Sequence, residues 1–563
     1  MACNSQLRHK FLIIRDNRGT VNRRPDLHVD LGAPGRRLPR RGALSSPTVT
    51  SGESESAATS GSFVRRLSAP SSFTVCVALR PHLETAPPDA GQRLDLVSSL
   101  LHGGLVDTFL LSHQPPGAGD SDTLALAREI LRLGGTPLVS VSLANRTRGE
   151  ALATLAAYHE AGVRQLVLVS GDYPAEGRRL GEKPLFDLDS LQLLMLIASG
   201  ETGLPGDDFD LGCAVSPFKT LESEQIWQYA RLARKLEAGA GFVVAQAGFD
   251  PRRWDELARV CRLQGHAQPL LGNVQVPDAA SLRRIREGLI PGVTMAGTLA
   301  TAMASEQARP DGGKAAALQR AAGSLAVLHA LGYRGAILGG TGLTAADIEH
   351  VLREADGRAD RWRECVEPAA VAATGFHYFR ADSDGALNGG QPADLSPRRR
   401  RRHPLYLLSH AVDYVAFGSL LPPFRFLAAL CRFCDKGPVR RRALWITEYL
   451  AKGPLYGCRM CGDCTLYACA FLCAEAGCPK RMNNGPCGGS RDGWCEVYPG
   501  EKTCFWNEVY GRLKGLAEHP DFPAPPLPAK DRGLQGTCSW LNSCLGRAHR
   551  REWVRRRLGR AGF

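Results

Sequence analysis

The sequence predicts an α/β protein, a (β/α)8 TIM-type barrel followed by a small cysteine-rich metal-binding domain. Three observations carry this. Between residues 73 and 354, short apolar runs alternate with amphipathic stretches, the pattern of parallel strands joined by crossover helices. Eight such runs occur in that span, the number with which this barrel closes. Of the 18 cysteines in the 563-residue chain, eleven fall between Cys431 and Cys504.

The candidate strands are 74–79, 106–111, 138–143, 165–170, 211–215, 242–246, 269–274 and 336–339. Helical patterns lie between them. One covers 123–133 and stops at Gly134-Gly135, a second covers 149–161 and stops at Gly162, and a third covers 223–238 and stops at Gly239. Glycine just past a helix is the usual stop because it accepts the left-handed backbone there. Three turns from helix to strand look alike: EAGVRQLVLVSGD, EAGAGFVVAQ and ALGYRGAILGG. In such a barrel the chemistry sits at the C-terminal ends of the strands. The loops of interest therefore begin near Leu79, Ser112, Leu143, Gly171, Ser216, Gln246, Val274 and Gly340. A doubly wound open sheet is the alternative, and no GxGxxG follows the first strand to favour it.

Composition divides the rest. Residues 1–70 are rich in Arg, Ser and Pro and read as a disordered basic extension; 71–355 form the barrel; 356–403 read as a linker ending in the run Arg398–Arg402; 404–515 form the cysteine domain; 516–563 read as a Pro-rich, basic tail. The net charge of +14 is local. Residues 1–70 carry +7, 395–450 carry +8 and 511–563 carry +7, so the remainder is net −8. A charge confined to flanks and one joint argues against nucleic acid as the partner. The N-terminus lacks the apolar core of a secretory signal. The longest apolar stretch, 404–430, contains His410, Asp413, Pro422, Pro423 and Arg425, so it reads as two soluble helices rather than a membrane span. The expected location is the cytoplasm, where thiols stay reduced and a cysteine cluster reads as a metal site.

That cluster begins Cys458-x2-Cys461-x2-Cys464 and continues with Cys469, Cys473, Cys478-Pro479, Cys487-Gly488-Gly489, Cys495 and Cys504. Short paired spacings let one turn direct two thiolates at one centre, and a C-x2-C-x2-C run with a Cys-Pro is typical of iron–sulfur ligation. Zinc is the alternative, since four-cysteine zinc sites also use C-x2-C.

The strings LVLVSGDYP, KPLFDLDSLQLL, RKLEAGAGFVVAQAGFD and GYRGAILGG, in this order and spacing, resemble the methylenetetrahydrofolate reductase family over about residues 73–352. The resemblance implies a flavin, FAD or FMN, at the strand ends. Reduced flavin would pass a hydride to methylenetetrahydrofolate, giving the 5-methyl form, with NAD(P)H or the metal clusters as electron source and ping-pong kinetics. It also implies roles. Gly171-Asp172 match the family's Gly-Asp pair, whose Asp lies near flavin and pterin. Gln246 matches the Gln that contacts the pterin. Arg234 and Lys235 match a basic pair near the flavin phosphate. Phe186 and Asp189 match an aromatic and an acid lining the flavin side.

Three positions depart from the family's pattern. FTVCVALRPH places Ala78 where the family's first strand carries its general-acid Glu, and alanine cannot donate a proton. His113-Gln114-Pro115 replaces an Asp-Asn-Pro segment, and Ala144-Asn145 replaces an Arg-Asp pair. Three outcomes follow: His82, Glu84 or His113 supplies the proton, the barrel reduces another substrate, or it is catalytically silent. His113 leads, because it follows a strand end and titrates near neutrality.

The strings CGDC, CPKRMNNGPCGGS and WCEV resemble the C-terminal domain often fused to, or partnered with, this reductase. Eight cysteines fit its pattern: Cys458, Cys461, Cys464, Cys473, Cys478, Cys487, Cys495 and Cys504. Eight thiolates suffice for two four-ligand centres, leaving Cys469 as a spare thiol and Cys431/Cys434 as a further pair. The expected function is a flavin-dependent methylenetetrahydrofolate reductase of one-carbon metabolism, with folate as substrate, a redox partner protein and association into homo-oligomers. The alternative is a non-catalytic electron-transfer or assembly subunit, which Ala78 favours.

Overall fold

The computed structural model describes residues 62–69, 72–79, 90–112, 120–173, 185–204, 208–290, 292–372, 374–393, 403–417, 422–514, 525–550 and 552. Eight parallel strands close a barrel: β1 (Thr74–Ala78), β2 (Thr108–Ser112), β3 (Thr136–Ser142), β4 (Gln165–Val169), β5 (Asp210–Val215), β6 (Phe242–Ala245), β7 (Leu270–Val276) and β8 (Gly335–Gly340). Closure comes from β1 pairing with both β2 (Cys76↔Thr108) and β8 (Thr74↔Gly335). Each strand matches one of the eight apolar runs. Such runs are conspicuous because strands buried on both faces need apolar residues at nearly every position.

Strand side chains alternate in direction, and the alternation gives the barrel two cores. Cys76, Ala78, Leu110, Leu138, Val167, Val244, Leu271 and Ile337 pack together as one cluster in the interior. Their neighbours, such as Val77, Phe109, Leu111 and Val139, pack outward under the helices. The first helix, α1 (Phe63–Ser68), belongs to the interior cluster through Phe63 and Leu67. The Phe63 ring meets Phe242 edge-on at 5.3 Å. Ser62 Oγ and the Phe63 N–H each donate to the Asp210 carboxylate at 2.5 Å, and Arg66 pairs with Asp107 at 3.0 Å. Residues 62–69, expected to belong to a disordered extension, are therefore structured and seal the barrel floor. Phe63→Ala is expected to destabilise the barrel by about 3 kcal/mol, as for other buried aromatic truncations. Urea unfolding followed by the barrel tryptophans would measure it.

The outer helices are α2 (Ala90–His102), α3 (Asp120–Arg132), α4 (Arg148–Glu160), α5 (Ser190–Ala198), α6 (Glu222–Glu237), α7 (Pro251–Leu263), α8 (Ala279–Arg286), α9 (Gly297–Glu306), α10 (Lys314–Ala330) and α11 (Ala345–Gly357). Two of them, α8 and α9, are additions between β7 and β8 that the alternation did not announce. Residues 356–372 and 374–393 of the expected linker are also structured, while Arg398–Arg402 lie outside the described residues. A hairpin, β9 (Phe379–Ala381) and β10 (Asn388–Pro392), fixes itself to α7 through Asn388, whose N–H and Nδ2 both donate to Asp255 at 3.0 Å.

The second unit starts with three helices, α12 (Pro404–Phe417), α13 (Pro422–Asp435) and α14 (Pro438–Tyr456). Residues 404–430 form two helices, as their interruptions implied. Among the described residues no helix is long and apolar enough to cross a membrane. The cysteine segment follows, with short α15 (Ala474–Gly477), then α16 (Phe505–Lys514) and α17 (Ser539–Leu545). Residues 525–550 of the expected tail are part of this unit. Cys544 of α17 packs on Ala428 and Cys431 of α13, and Leu527 exchanges backbone-to-side-chain hydrogen bonds with Asn484. Cys431 therefore partners Cys544, not Cys434 as the sequence suggested.

Candidate active site at the barrel mouth and the cysteine centres

β4 ends in Ser170-Gly171-Asp172. Gly171 has φ +82, and a Cβ there would stand 2.1 Å from Ser142 Oγ and 2.9 Å from Ala144 Cβ. Only glycine satisfies both the left-handed backbone and the close approach. This turn presents Asp172 at the mouth of the barrel. Gln246 follows β6 and is half-buried at the same end, its N–H donating to the Val215 carbonyl at 2.8 Å.

The mouth is not made by the barrel alone. The segment from Cys478 to Val497 of the second unit lies across it. Lys480 Nζ donates to the Gly171 carbonyl at 2.8 Å and to Glu496 Oε1 at 2.6 Å. The Tyr173 N–H donates to the same Glu496 oxygen at 3.2 Å, and Cys487 Sγ donates to the other at 3.2 Å. Lys480 also stands over the Phe186 ring, 5.1 Å from its centroid. Lys480 and Glu496 are 2% and 4% exposed, a fully desolvated ion pair. Neither was chosen from the sequence, although both stand inside the motif strings CPKRMNNGPCGGS and WCEV. Which barrel residue they would meet is a tertiary fact that spacing does not encode.

Asp172 is exposed at the mouth, with Glu496, Lys480 and Lys219 near its carboxyl. Desolvation, then the nearby Glu496 carboxylate, push its pKa from 3.8 up to about 7, against the opposing pull of Lys480 and Lys219. Glu496 is held below the ordinary carboxylate range, chiefly by Lys480 against its own burial. Two neighbouring carboxyls are thus pushed apart, one anionic and one able to keep its proton near neutrality. The native state retains a proton on Asp172 that the unfolded chain releases. Stability should therefore fall as pH rises between 3.8 and about 7. Asp172→Asn is expected to flatten that fall, read as Tm against pH above about pH 5.

The other expected site residues have different surroundings. Arg234 donates to the Asn484 carbonyl at 3.3 Å and stacks over Trp227. Lys235 is buried and donates to the Ala214 carbonyl at 2.7 Å, burial lowering its pKa to about 8. Both are directed at protein carbonyls rather than at a phosphate. Asp189 is the N-cap of α5, accepting from the N–H groups of Leu191 and Gln192, and pairs with Arg231 at 3.4 Å. Phe186 is buried with Ala144, Tyr173 and Val497 at the seam. Ala78 is buried in the barrel interior, with no acid in its place. His113, His82 and Glu84 lie outside the described residues.

Basic side chains of the barrel hold the overlying segment by its main chain. Lys219 Nζ donates to the carbonyls of Gly488 and Ser490, each at 2.5 Å; Arg231 donates to those of Gly485 and Pro486 at 3.0 and 2.9 Å. Gly292 separates Gln246 from this segment, since a Cβ there would stand 3.3 Å from Gln246 Nε2 and 3.5 Å from the Gly488 carbonyl. Two buried hydroxyls at strand ends, Ser112 Oγ and Ser216 Oγ, have no hydrogen-bond partner among the described residues. The mouth therefore offers Gly171, Asp172, Gln246 and two serines to a polar ring system, and that donor set fits a flavin or pterin. The Arg234/Lys235 pair does not fit as its phosphate site in this arrangement.

The eight patterned cysteines fall into two sets. Cys458, Cys461, Cys464 and Cys473 line one enclosed cavity together with Tyr456, Lys530 and Ser539. Lys452 Nζ is 3.7 Å from Cys464 Sγ, and Lys530 Nζ is 3.5 Å from Cys461 Sγ. Cys478, Cys487, Cys495 and Cys504 form the second set, close enough that their charges perturb one another. Cys469 is fully buried in the hydrophobic core, outside the cavity lining. Burial pushes Cys461 up to about 12 and Cys478 up to about 11, so these thiols are neutral until a metal takes them. Among the described residues no three His, Cys, Asp or Glu side chains converge closely enough to hold a single metal ion.

The structure is a closed parallel barrel with a Gly-Asp turn at one strand end, joined to a cysteine-rich unit. The comparisons specify it further. The family Methylenetetrahydrofolate reductase matches residues 123–332, and the family Methylene-tetrahydrofolate reductase C terminal matches residues 441–532. The chain thus joins a methylenetetrahydrofolate reductase family barrel to the C-terminal domain of that family. No curated protein matches it. Among solved structures, a tryptophan synthase from Mycobacterium tuberculosis is 15% identical with a TM-score of 0.30, covering 53% of this chain and 95% of that one. An aminoacrylate-bound form of the enzyme is 15% identical with a TM-score of 0.29, covering 55% and 100%.

Proposed function

We propose that the chain is a flavin-dependent reductase of a folate-bound one-carbon unit, converting 5,10-methylenetetrahydrofolate to 5-methyltetrahydrofolate. The observation that carries this is Asp172, set by Gly171 at the mouth of the barrel with its pKa raised to about 7. A flavin bound there would supply hydride chemistry. The chain's own part is positional and protonic. Gln246 offers donor and acceptor to a pterin edge. Asp172 keeps a proton at its carboxyl for the substrate nitrogen, the task for which Ala78 is unfit. Glu496 favours that state against the pull of Lys480, so two residues of the cysteine domain tune the acid site.

For the first cysteine set, four thiols around one cavity and the C-x2-C-x2-C run support an iron–sulfur cluster. A zinc ion instead needs four sulfurs converging at about 2.3 Å. The second reading, a subunit without catalysis, rests on Ala78 alone.

The test is anaerobic purification with flavin, followed by single-turnover reduction of methylenetetrahydrofolate. Asp172→Asn is expected to slow it by about 10²-fold or more. A wild-type chain that takes up iron but neither binds flavin nor turns over folate would establish the second reading instead.

A further inference from the structure

Strand β7 turns two amides into the barrel. Leu271 belongs to the interior cluster, while Leu270, Val274 and Val276 pack outward under the helices. The strand's alternation therefore directs Asn273 and Gln275 inward with Leu271. Both are buried, each 5% exposed. Gln275 Nε2 donates to Asn273 Oδ1 at 2.6 Å. Gln275 Oε1 has no hydrogen-bond partner among the described residues. A buried amide pair is costly unless every member is satisfied. This pair closes on itself at one oxygen and leaves the other open.

The open oxygen stands at the end of the barrel that carries the chemistry. Gln275 is the last residue but one of β7 and pairs in register with Gly339, the last but one of β8. A Cβ on Gly339 would stand 2.8 Å from Gln275 Nε2 and 2.9 Å from Oε1. The carboxamide therefore lies across β8 in the barrel interior, along a path that a side chain at 339 would obstruct. The next strand around is β1. Its Val77 pairs with Leu338, so Ala78 follows at the level of Gly339. Ala78 gives the interior cluster only a methyl group. Neither Gly339 nor Ala78 carries a side-chain donor for the open oxygen.

The carboxamide also keeps a second N–H, beside Oε1 and not used by Asn273. An acceptor and a donor side by side match a cyclic lactam, whose ring N–H lies next to its C=O. Flavins and pterins both carry this edge, at ring position N3.

We propose that Gln275 binds the lactam edge of the ring ligand at the barrel mouth, flavin or pterin, and fixes its orientation by this two-point contact. The proposal rests on the reductase reading given above and deepens it by naming the residue that orients the ring. Gln275 stands on the wall where Ala78 supplies no polar group.

The experiment uses the full chain, purified anaerobically with its metal centres. The probes are FAD and N3-methyl-FAD, and tetrahydropterin and its N3-methyl derivative. Flavin binding is read by fluorescence quenching and pterin binding by calorimetry. Methylation removes the lactam N–H and keeps the rest of the ring. The wild type is expected to bind one parent ring about tenfold or more tighter than its methyl analogue, the effect of one buried hydrogen bond. Gln275→Leu should weaken binding of that parent ring about tenfold and leave the methyl analogue no weaker than in the wild type. The ring pair in which this difference appears tells flavin from pterin. Gln275→Leu strands Asn273 Oδ1, so Asn273→Leu/Gln275→Leu is measured beside it. The double variant replaces both partners by apolar groups, should keep or raise Tm, and should lose the same preference. Equal losses for parent and methylated rings, or no loss, in both variants overturn the proposal; folate turnover by the wild type would then leave the reductase reading standing. A wild type that binds neither ring overturns both. An N3-dependent loss in a chain without folate turnover upholds the role of Gln275 and removes the reductase reading alone.

Discussion

Lys480→Met should destabilise the cysteine domain by about 3–5 kcal/mol, the usual result of removing one partner from a buried ion pair. Its ammonium holds Glu496 at 2.6 Å and the Gly171 carbonyl at 2.8 Å, with almost no solvent to replace it. Without it, the Glu496 carboxylate lies uncompensated next to Asp172. The double variant Lys480→Met/Glu496→Gln removes that stranded charge and should recover part of the loss. Hydrogen exchange of residues 478–497 reads the effect, because the segment opens locally before the barrel unfolds. Equal protection in the single and double variants would show that the stranded charge is not what destabilises the domain.

Gly171→Ala should do comparable harm from the barrel side, by about 3 kcal/mol. A left-handed backbone costs about 1–2 kcal/mol for a residue with a Cβ. That Cβ would also stand 2.1 Å from Ser142 Oγ and 2.9 Å from Ala144 Cβ, so the turn must shift. The shift moves the carbonyl that Lys480 holds and the carboxyl of Asp172 with it. Flavin titration would show the consequence as weakened binding, and Tm as a loss of several degrees. A Gly171→Ala chain with wild-type Tm and flavin affinity would remove the turn from the site.

The barrel was readable because its strands are buried on both faces and its helices end in glycine. Both properties are local. The N-terminal helix was not readable, because Phe63 and Leu67 are two apolar residues amid Arg and Ser and acquire meaning only against Phe242. The capping box at Asp189 and Gln192 was readable from its spacing, yet the family resemblance gave Asp189 a cofactor role instead. Arg234 and Lys235 show the same limit. A basic pair on a helix suggests a phosphate, and the carbonyls that occupy it come from residue 214 and residue 484. The cysteine pattern gave the eight positions, while their division into a first and a second set needed the cavity and the seam.

The seam has a further property. Lys219, Arg231 and Arg234 grip the overlying segment by the carbonyls of Asn484, Gly485, Pro486, Gly488 and Ser490. A grip on main-chain oxygens depends less on which residues fill positions 484–490 than on the path that the loop takes. Cys487 sits in the middle of that path. Its backbone position therefore sets the spacing between the carbonyls that Arg231 and Lys219 hold.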